Sequence, residues 1–278
     1  MKKPENSVLF GIRKGIAIYF NDVIEKDRIK EIVRMIVNMT GVVFTGKSAQ
    51  DDPKIRLARG GWERVFDNTF KNSTFESSNV LKLTDATKDT LQTTQIYMNL
   101  WNPCRATSYI LVNCMEDISW ETIITFIQAV SKMLHLQLVS AGHDVVSNDF
   151  WYPGSAAYSL KFLQTVKYAN SEWTEWSELE FVANKGIYGP NVIQFLSEKL
   201  WAPVEKEACQ CGNCAALNTG VLLDILDHKN GQLLEPEKDV LFSRLSKLYR
   251  ALRPIIIPAE KPMFLKENEW VAWQRRFE

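Results

Sequence analysis

The strongest constraint on the fold is a strand–helix–strand pattern that the sequence contains twice, at 14–44 and at 107–140. Each strand has to bury a face and each helix a stripe, and both need partner elements to do so. The pattern therefore predicts an α+β fold in which mixed or antiparallel sheets pack with amphipathic helices. The repetition suggests two similar strand–helix–strand sub-units, 8–100 and 101–278, in a single globule and a single domain spanning 1–278.

The first half contains one well-defined strand and one well-defined helix. Apolar residues at alternate positions predict a strand over 14–20 with one buried face. A three-and-four spacing of apolar residues then predicts an amphipathic helix over 23–39. A β-branched and aromatic run predicts a short strand at 42–44, and a short helix is expected at 62–70.

The second half has clearer periodic patterns. Predicted strands lie at 96–101, 107–114, 136–140 and 220–226, and predicted helices at 119–134, 155–166, 190–200 and 236–252. The helix at 190–200 is expected because Gly189-Pro190 places proline in a first turn. Trp270, Trp273 and Phe277 fit one face of a short terminal helix that docks on the core, with Arg275 and Arg276 as surface charges beside it.

Composition excludes several classes of protein. The chain has 278 residues, 46% of them hydrophobic, and its 33 basic residues balance 33 acidic ones. A neutral, hydrophobic chain of this length is neither disordered nor a general polyanion binder, so no nucleic-acid partner is expected. The N-terminus lacks the apolar core of a secretory signal, and no stretch reaches the ~18 apolar residues of a membrane span. We therefore expect a cytoplasmic protein without a membrane partner, whose five cysteines are reduced thiols.

One segment matches the nucleotide-binding P-loop pattern G-x-x-x-x-G-K-[ST]. It runs from Gly41 to Ser48 and includes Lys47. A working P-loop follows a strand and opens a helix, whose N-terminus holds the phosphates. Here an amphipathic helix precedes Gly41, and acids and a proline follow Ser48. A nucleotide-using enzyme is therefore a minor alternative, and a helix, a turn and a short strand are the preferred interpretation.

Three cysteines lie close together at Cys209, Cys211 and Cys214. Their spacing is compatible with thiolate ligation of one zinc ion, which leaves a zinc-stabilised interaction module as a second alternative. A redox pair at Cys211 and Cys214 is a weaker hypothesis. A second ligand pair is missing, so we favour a reduced, partly exposed loop before the strand at 220–226 and expect no metal or other cofactor.

The sequence contains no recognisable catalytic motif, and its most distinctive surface feature is an acidic, aromatic run. The three histidines are interpreted as structural, with His143 in a turn after Gly142. Aromatic side chains anchor protein interfaces, and acidic ones speed the capture of a basic partner. The alternative is that both tryptophans of the run pack inward. The candidate binding residues are Glu172, Trp173, Glu175, Trp176, Glu178 and Glu180.

The second half resembles the bacterial type VI secretion immunity proteins. The resemblance rests on Ser108–Val112 with the helix that follows and 140–143, on Asn184–Asn191, and on 248–254 with the terminal Trp273-Gln274-Arg275-Arg276-Phe277. The first hundred residues match only in the order of strand and helix. The chain departs from the family pattern at the Cys209–Cys214 cluster and at Val192 and Ile193, where the family has a glycine- and tryptophan-rich helix start.

The resemblance implies a protein that is not an enzyme. Members of the family bind a toxin effector delivered by the type VI system and so protect the producing cell and its kin. No catalytic residues are carried over to this sequence, and the expected partner is the cognate secreted toxin. The identity of that toxin stays open because an immunity surface is tailored to one toxin, and the oligomeric state stays open as well.

Overall fold

The two strand–helix–strand patterns form a mixed α+β fold, as the sequence predicts. One long sheet contains most of the described strands. The computed structural model describes residues 10–21, 26–44, 46–48, 55–56, 61–70, 79–84, 94–100, 107–114, 117–147, 166–171, 183–258 and 266–278. The strands are β1 (Phe10–Phe20), β2 (Gly46–Ser48), β3 (Ile55–Arg56), β4 (Asn79–Thr84), β5 (Gln95–Leu100), β6 (Ser108–Cys114), β7 (Leu136–Ser147), β8 (Asn170–Ser171), β9 (Ile193–Ser197), β10 (Asn213–Leu217), β11 (Gly220–Asp224), β12 (Asp227–Lys229) and β13 (Gln232–Leu234). The helices are α1 (Lys26–Thr40), α2 (Gly61–Thr69), α3 (Trp120–Ser131), α4 (Glu198–Trp201), α5 (Glu205–Ala208), α6 (Lys238–Leu252) and α7 (Glu267–Gln274), with a 3-10 turn at Arg253–Ile255.

Strand β1 lies near the middle of the sheet. Along the described sheet the order is β10-β11-β9-β7-β1-β6-β5-β4-β2-β3, and β8 pairs in parallel with β7. All the other pairings in this sheet are antiparallel, and β12 and β13 form a separate hairpin. Because β1 pairs with both β6 and β7, the strands of the two predicted sub-units interleave in one sheet.

The residues of β1 from 14 to 20 are buried on both faces of the sheet, not on one. Ile16 aligns with Val112 of β6 and with Ala141 of β7, and all three are fully buried. Ala17 and Tyr19, which point to the opposite face, are fully buried too. The strand is therefore a central core element, and the polar alternation of a half-exposed strand is absent from it.

Helices α1 and α6 follow their predicted apolar stripes. Residues Ile29, Ile32, Val33 and Ile36 of α1 are buried, and so are Leu241, Leu245, Leu248 and Leu252 of α6. Helix α6 ends at the Arg253-Pro254 step, which the sequence predicts as its stop. The predicted terminal helix is also confirmed, since Trp270, Trp273 and Phe277 are almost completely buried.

Two of the predicted helices and strands are wrong. Residues 190–200 do not form a helix, because 193–197 is strand β9, buried between β7 and β11, and only the four-residue helix α4 follows it. Residues 42–44 are not a strand, because pairing begins at Gly46 in β2. The run Ile-Gln-Phe-Leu has strand propensity, and no helix begins at the preceding Gly-Pro step. The predicted helix at 155–166 lies outside the described residues, apart from Val166.

Candidate functional site

The predicted toxin-binding residues follow β8 in the sequence. Glu172, Trp173, Glu175, Trp176, Glu178 and Glu180 all fall outside the described residues. The chain enters this segment from Asn170 and Ser171 of β8, which pair with Asp144 and Val145 of β7. It re-enters the described part at Ala183, which is fully buried. Both ends of the segment are therefore fixed to the core.

The stretch Asn184–Asn191, which carries part of the family resemblance, contacts the residues that directly follow another such stretch, 248–254. The Ile187 N–H donates to the carbonyl of Ile255 at 2.9 Å, and the Ile257 N–H donates to the carbonyl of Ile187 at 2.8 Å. A Cβ atom on Gly186 would lie 2.2 Å from that Ile255 carbonyl oxygen. Glycine at 186 thus allows the two backbones to approach, and the Lys-Gly motif has a structural role.

The same stretch also contacts strand β7. The Gln194 amide, which is fully buried, donates to the Ser140 hydroxyl at 3.2 Å. A Cβ atom on Gly142 would lie 2.7 Å from the Asn191 side-chain oxygen. These buried polar contacts connect 140–143 to 191–194, so this part of the resemblance also reflects packing.

The terminal Trp-x-Arg-Arg-Phe sequence docks on helix α6. The Phe277 ring lies 5.6 Å from the Phe242 ring and 6.1 Å from the Tyr249 ring, measured between centroids. The Arg276 guanidinium stacks 3.6 Å from the Trp273 centroid. Arg276 is therefore a packing residue and not the surface charge that the sequence predicts, whereas Arg275 is exposed.

A largely buried polar cluster, formed by Lys14, Trp120, His143 and Glu235, joins four parts of the fold. Lys14 and His143 are cross-strand partners in β1 and β7. The His143 Nε2 atom and the Trp120 Nε1 atom each lie 2.7 Å from a different oxygen of the Glu235 carboxylate. The Lys14 ammonium lies 4.7 Å from the Trp120 ring centroid. Glu235 thus holds the segment before α6 against α3 and the sheet.

The electrostatics of the cluster favour an ionised Glu235. Burial raises the pKa of Glu235, but the hydrogen bonds from His143 and Trp120 and the charge of Lys14 lower it by more. The net effect is a pKa below the ordinary value. The His143 side chain is only 5% exposed and is flanked edge-on by the rings of Trp120 and Tyr168. Such an enclosed imidazole suits a structural role better than attack on a substrate.

Sequence reasoning missed this cluster. It assigned His143 to a turn, whereas β7 runs through His143 to Ser147 without interruption. The neighbouring Gly142 and Asp144 resemble turn residues, and only the long-range pairing with β1 makes the segment a strand. The only hint of this cluster in the sequence was Glu235, which stands beside Pro236 ahead of a predicted helix. The sequence does not reveal which residues Glu235 contacts.

The three clustered cysteines lie on different parts of the chain, although the Cys209 and Cys214 thiols are neighbours. Cys209 follows α5, Cys211 donates to the Glu207 carbonyl at 3.3 Å, and Cys214 lies in β10. Burial, together with the neighbouring Cys209 thiol, raises the pKa of Cys214 to about 12. No group of three His, Cys, Asp or Glu side chains that could hold a metal is found in the described part of the chain.

The P-loop-like segment does not form a phosphate cradle. Gly41 ends α1 in a left-handed conformation with φ at +63°, and its N–H donates to the Val37 carbonyl. Lys47 and Ser48 lie in β2 and pair with Leu83 and Lys82 of β4. A P-loop needs the start of a helix at this position, so the nucleotide-binding alternative loses its structural basis.

The comparisons with known proteins find similarity in structure and not in sequence. No known family profile matches the sequence, and no curated protein matches it in sequence. Among solved structures, the chain is similar to a Pseudomonas aeruginosa T6SS protein, PA0821, with a TM-score of 0.72 and 8% identity. The similarity covers 96% of this chain and 82% of that one. No helix in the described ranges has the length and apolarity needed to cross a membrane. At such low identity, the similarity to PA0821 shows a shared fold.

Proposed function

We propose that this chain belongs to a bacterial type VI secretion system and acts there as an immunity protein. The observation that carries the proposal is the fold, shared over 96% of the chain with a protein described as a T6SS protein. The motifs that resemble immunity proteins support it, because they are the residues that join the sheet, α6 and α7 in the structure. The proposed activity is to bind a cognate toxin effector in the cytoplasm and block it, without catalysis.

The acidic, aromatic segment between β8 and Ala183 is the proposed toxin contact. The negative charge of its four glutamates is not balanced by any Lys or Arg between 172 and 181. Such a segment steers a basic surface toward it, and the two tryptophans supply apolar contact area after docking. If the toxin is a nuclease, the glutamates would occupy the basic groove that normally holds phosphate. Rapid association at low salt is then expected.

Removing both tryptophans should weaken toxin binding strongly. We expect the Trp173→Ala, Trp176→Ala double variant to raise the Kd by about 100-fold, because aromatic anchors carry much of an interface's binding energy. Surface plasmon resonance at low and high salt provides the measurement, and wild-type association should slow as the salt concentration rises. Leu234→Ala, which changes an exposed side chain outside the segment, is the control. Unchanged affinity in the double variant would remove this segment from the interface.

Growth rescue tests the proposed function itself. The gene adjacent to the one encoding this chain is expressed in a laboratory bacterium, with and without the chain, and directed to the cytoplasm or the periplasm. We expect the adjacent product to arrest growth and the chain to restore it. The destabilised variant Gly186→Ala, whose added methyl group would lie 2.2 Å from the Ile255 carbonyl oxygen, should not restore growth. A harmless adjacent product, or arrest that persists with the folded chain present, would contradict the proposal.

A further inference from the structure

Strand β10 forms one end of the described sheet and is open to solvent. It pairs with β11 from Asn213↔Asp224 to Leu217↔Gly220 in continuous register, without a bulge. Its first four residues are exposed and Leu217 is partly so, and the Cys214 thiol lies beside a residue that follows α5, Cys209. Alternate residues of such an edge direct their backbone N–H and C=O groups outward, where another strand can bind them.

Strand β10 is held rigidly in position at both ends. Gly212 packs so closely on β11 that a Cβ atom there would lie 2.1 Å from the Asp224 carbonyl oxygen. The Asn213 amide donates to the buried Asp224 carboxylate at 3.1 Å. A two-residue turn at 218–219 joins the strand to β11 at its other end. A pre-formed edge loses little conformational entropy on pairing, which favours strand addition.

The edge also lacks the features that normally prevent strand pairing. Residues 213–219 contain no charged residue and no proline. The opposite end of the described sheet differs, because β3 has only two residues and one of them is Arg56. Natural proteins protect exposed edges with short strands, charges, prolines or bulges. An unprotected five-residue edge is therefore expected to be paired in solution.

We propose that β10 pairs antiparallel with β10 of a second copy of this chain, so that the sheet continues across a two-fold axis. Identical uncharged strands match each other in this arrangement, because each edge offers the same alternating donors and acceptors and no like charges meet. Side chains exposed on both faces leave room for the second strand on each side. The inference uses no residue of the proposed toxin-binding segment, so it does not depend on the proposed function.

The oligomeric state in solution tests the inference. Five paired residues form a small interface, so we expect a weak dimer with a Kd of about 10–100 µM. Sedimentation velocity of the full chain, in reducing buffer to exclude disulfide-linked species, should show a concentration-dependent dimer. Ala216→Lys places like charges across the two-fold axis and should raise the Kd by about tenfold or more. Val43→Lys, which adds the same charge at an exposed position outside the edge, should leave the Kd unchanged.

Charge reversal makes the test specific for this edge. Ala216→Glu alone should weaken the dimer as Ala216→Lys does. An equimolar mixture of the two variants should form dimers again, because opposite charges then meet. Circular dichroism melts check that each variant is folded. A wild-type chain that stays monomeric up to about 1 mM would overturn the inference. So would a dimer that survives both Ala216 variants, or one that Val43→Lys weakens as much as they do.

Discussion

Gly186→Ala is expected to lower the free energy of unfolding by about 3 kcal/mol. The new methyl group would lie 2.2 Å from the Ile255 carbonyl oxygen and 2.6 Å from the Ile257 side chain. The backbone cannot make room without separating the two segments, and separation breaks both hydrogen bonds at Ile187. In a chain of this size, we expect the Tm to fall by about 8 °C. Urea denaturation followed by tryptophan fluorescence measures the change.

Gly189→Ala is the matched control for this prediction. It adds the same methyl group three residues away, where no atom lies within 4 Å of the new Cβ. Its effect should stay within about 0.5 kcal/mol. If Gly186→Ala were as stable as this control, the backbone contact between 184–191 and 253–257 would not be the reason for the Lys-Gly motif.

Glu235→Ala should lower the free energy of unfolding by a similar amount, about 3 kcal/mol at neutral pH. The substitution removes the acceptor for both the Trp120 and the His143 ring nitrogens. Each donor left buried without a partner costs about 1–3 kcal/mol. Glu237→Ala is the control, because Glu237 is exposed and its side chain makes no capping hydrogen bond.

The effect of Glu235→Ala should depend on pH. Because the folded structure lowers the pKa of Glu235, its ionised form stabilises the fold above the ordinary value of 4.5. That stabilisation is lost as the pH falls through the lowered pKa and the carboxylate is protonated. Stability measured from pH 7 to pH 3 should therefore show a gap between wild type and variant that narrows below pH 4.5. A gap that is constant to pH 3 would show that the carboxylate charge contributes nothing.

Local periodicity predicted helices α1 and α6 well. The stripe of α1 and that of α6 extend over several turns, and the stop at Arg253-Pro254 follows from proline sterics. The prediction failed at strand β9, because five residues are too few to show a period that separates a buried strand from a helix. Its position between β7 and β11 decides its conformation, and that pairing joins residues more than 20 positions apart.

The residues of the candidate sites are brought together by long-range pairing, which the local sequence does not reveal. His143 resembles a turn residue until β1 places Lys14 beside it, and Glu235 reaches it across 92 positions. Strand β10 resembled a loop because its exposed Asn-Cys-Ala-Ala-Leu sequence has no apolar face. The motifs shared with immunity proteins were visible in the sequence, but the structure gives them a packing role. The acidic, aromatic segment remains the proposed toxin contact.

The most direct test of the proposed function is a calorimetric titration between the purified chain and the purified product of the adjacent gene. We predict saturable binding at one chain per toxin with a nanomolar Kd, which is typical of tight complexes of standard interface size. The toxin's activity should fall in proportion to the fraction bound. Absence of binding at micromolar concentrations, with both proteins shown to be folded, would contradict the account.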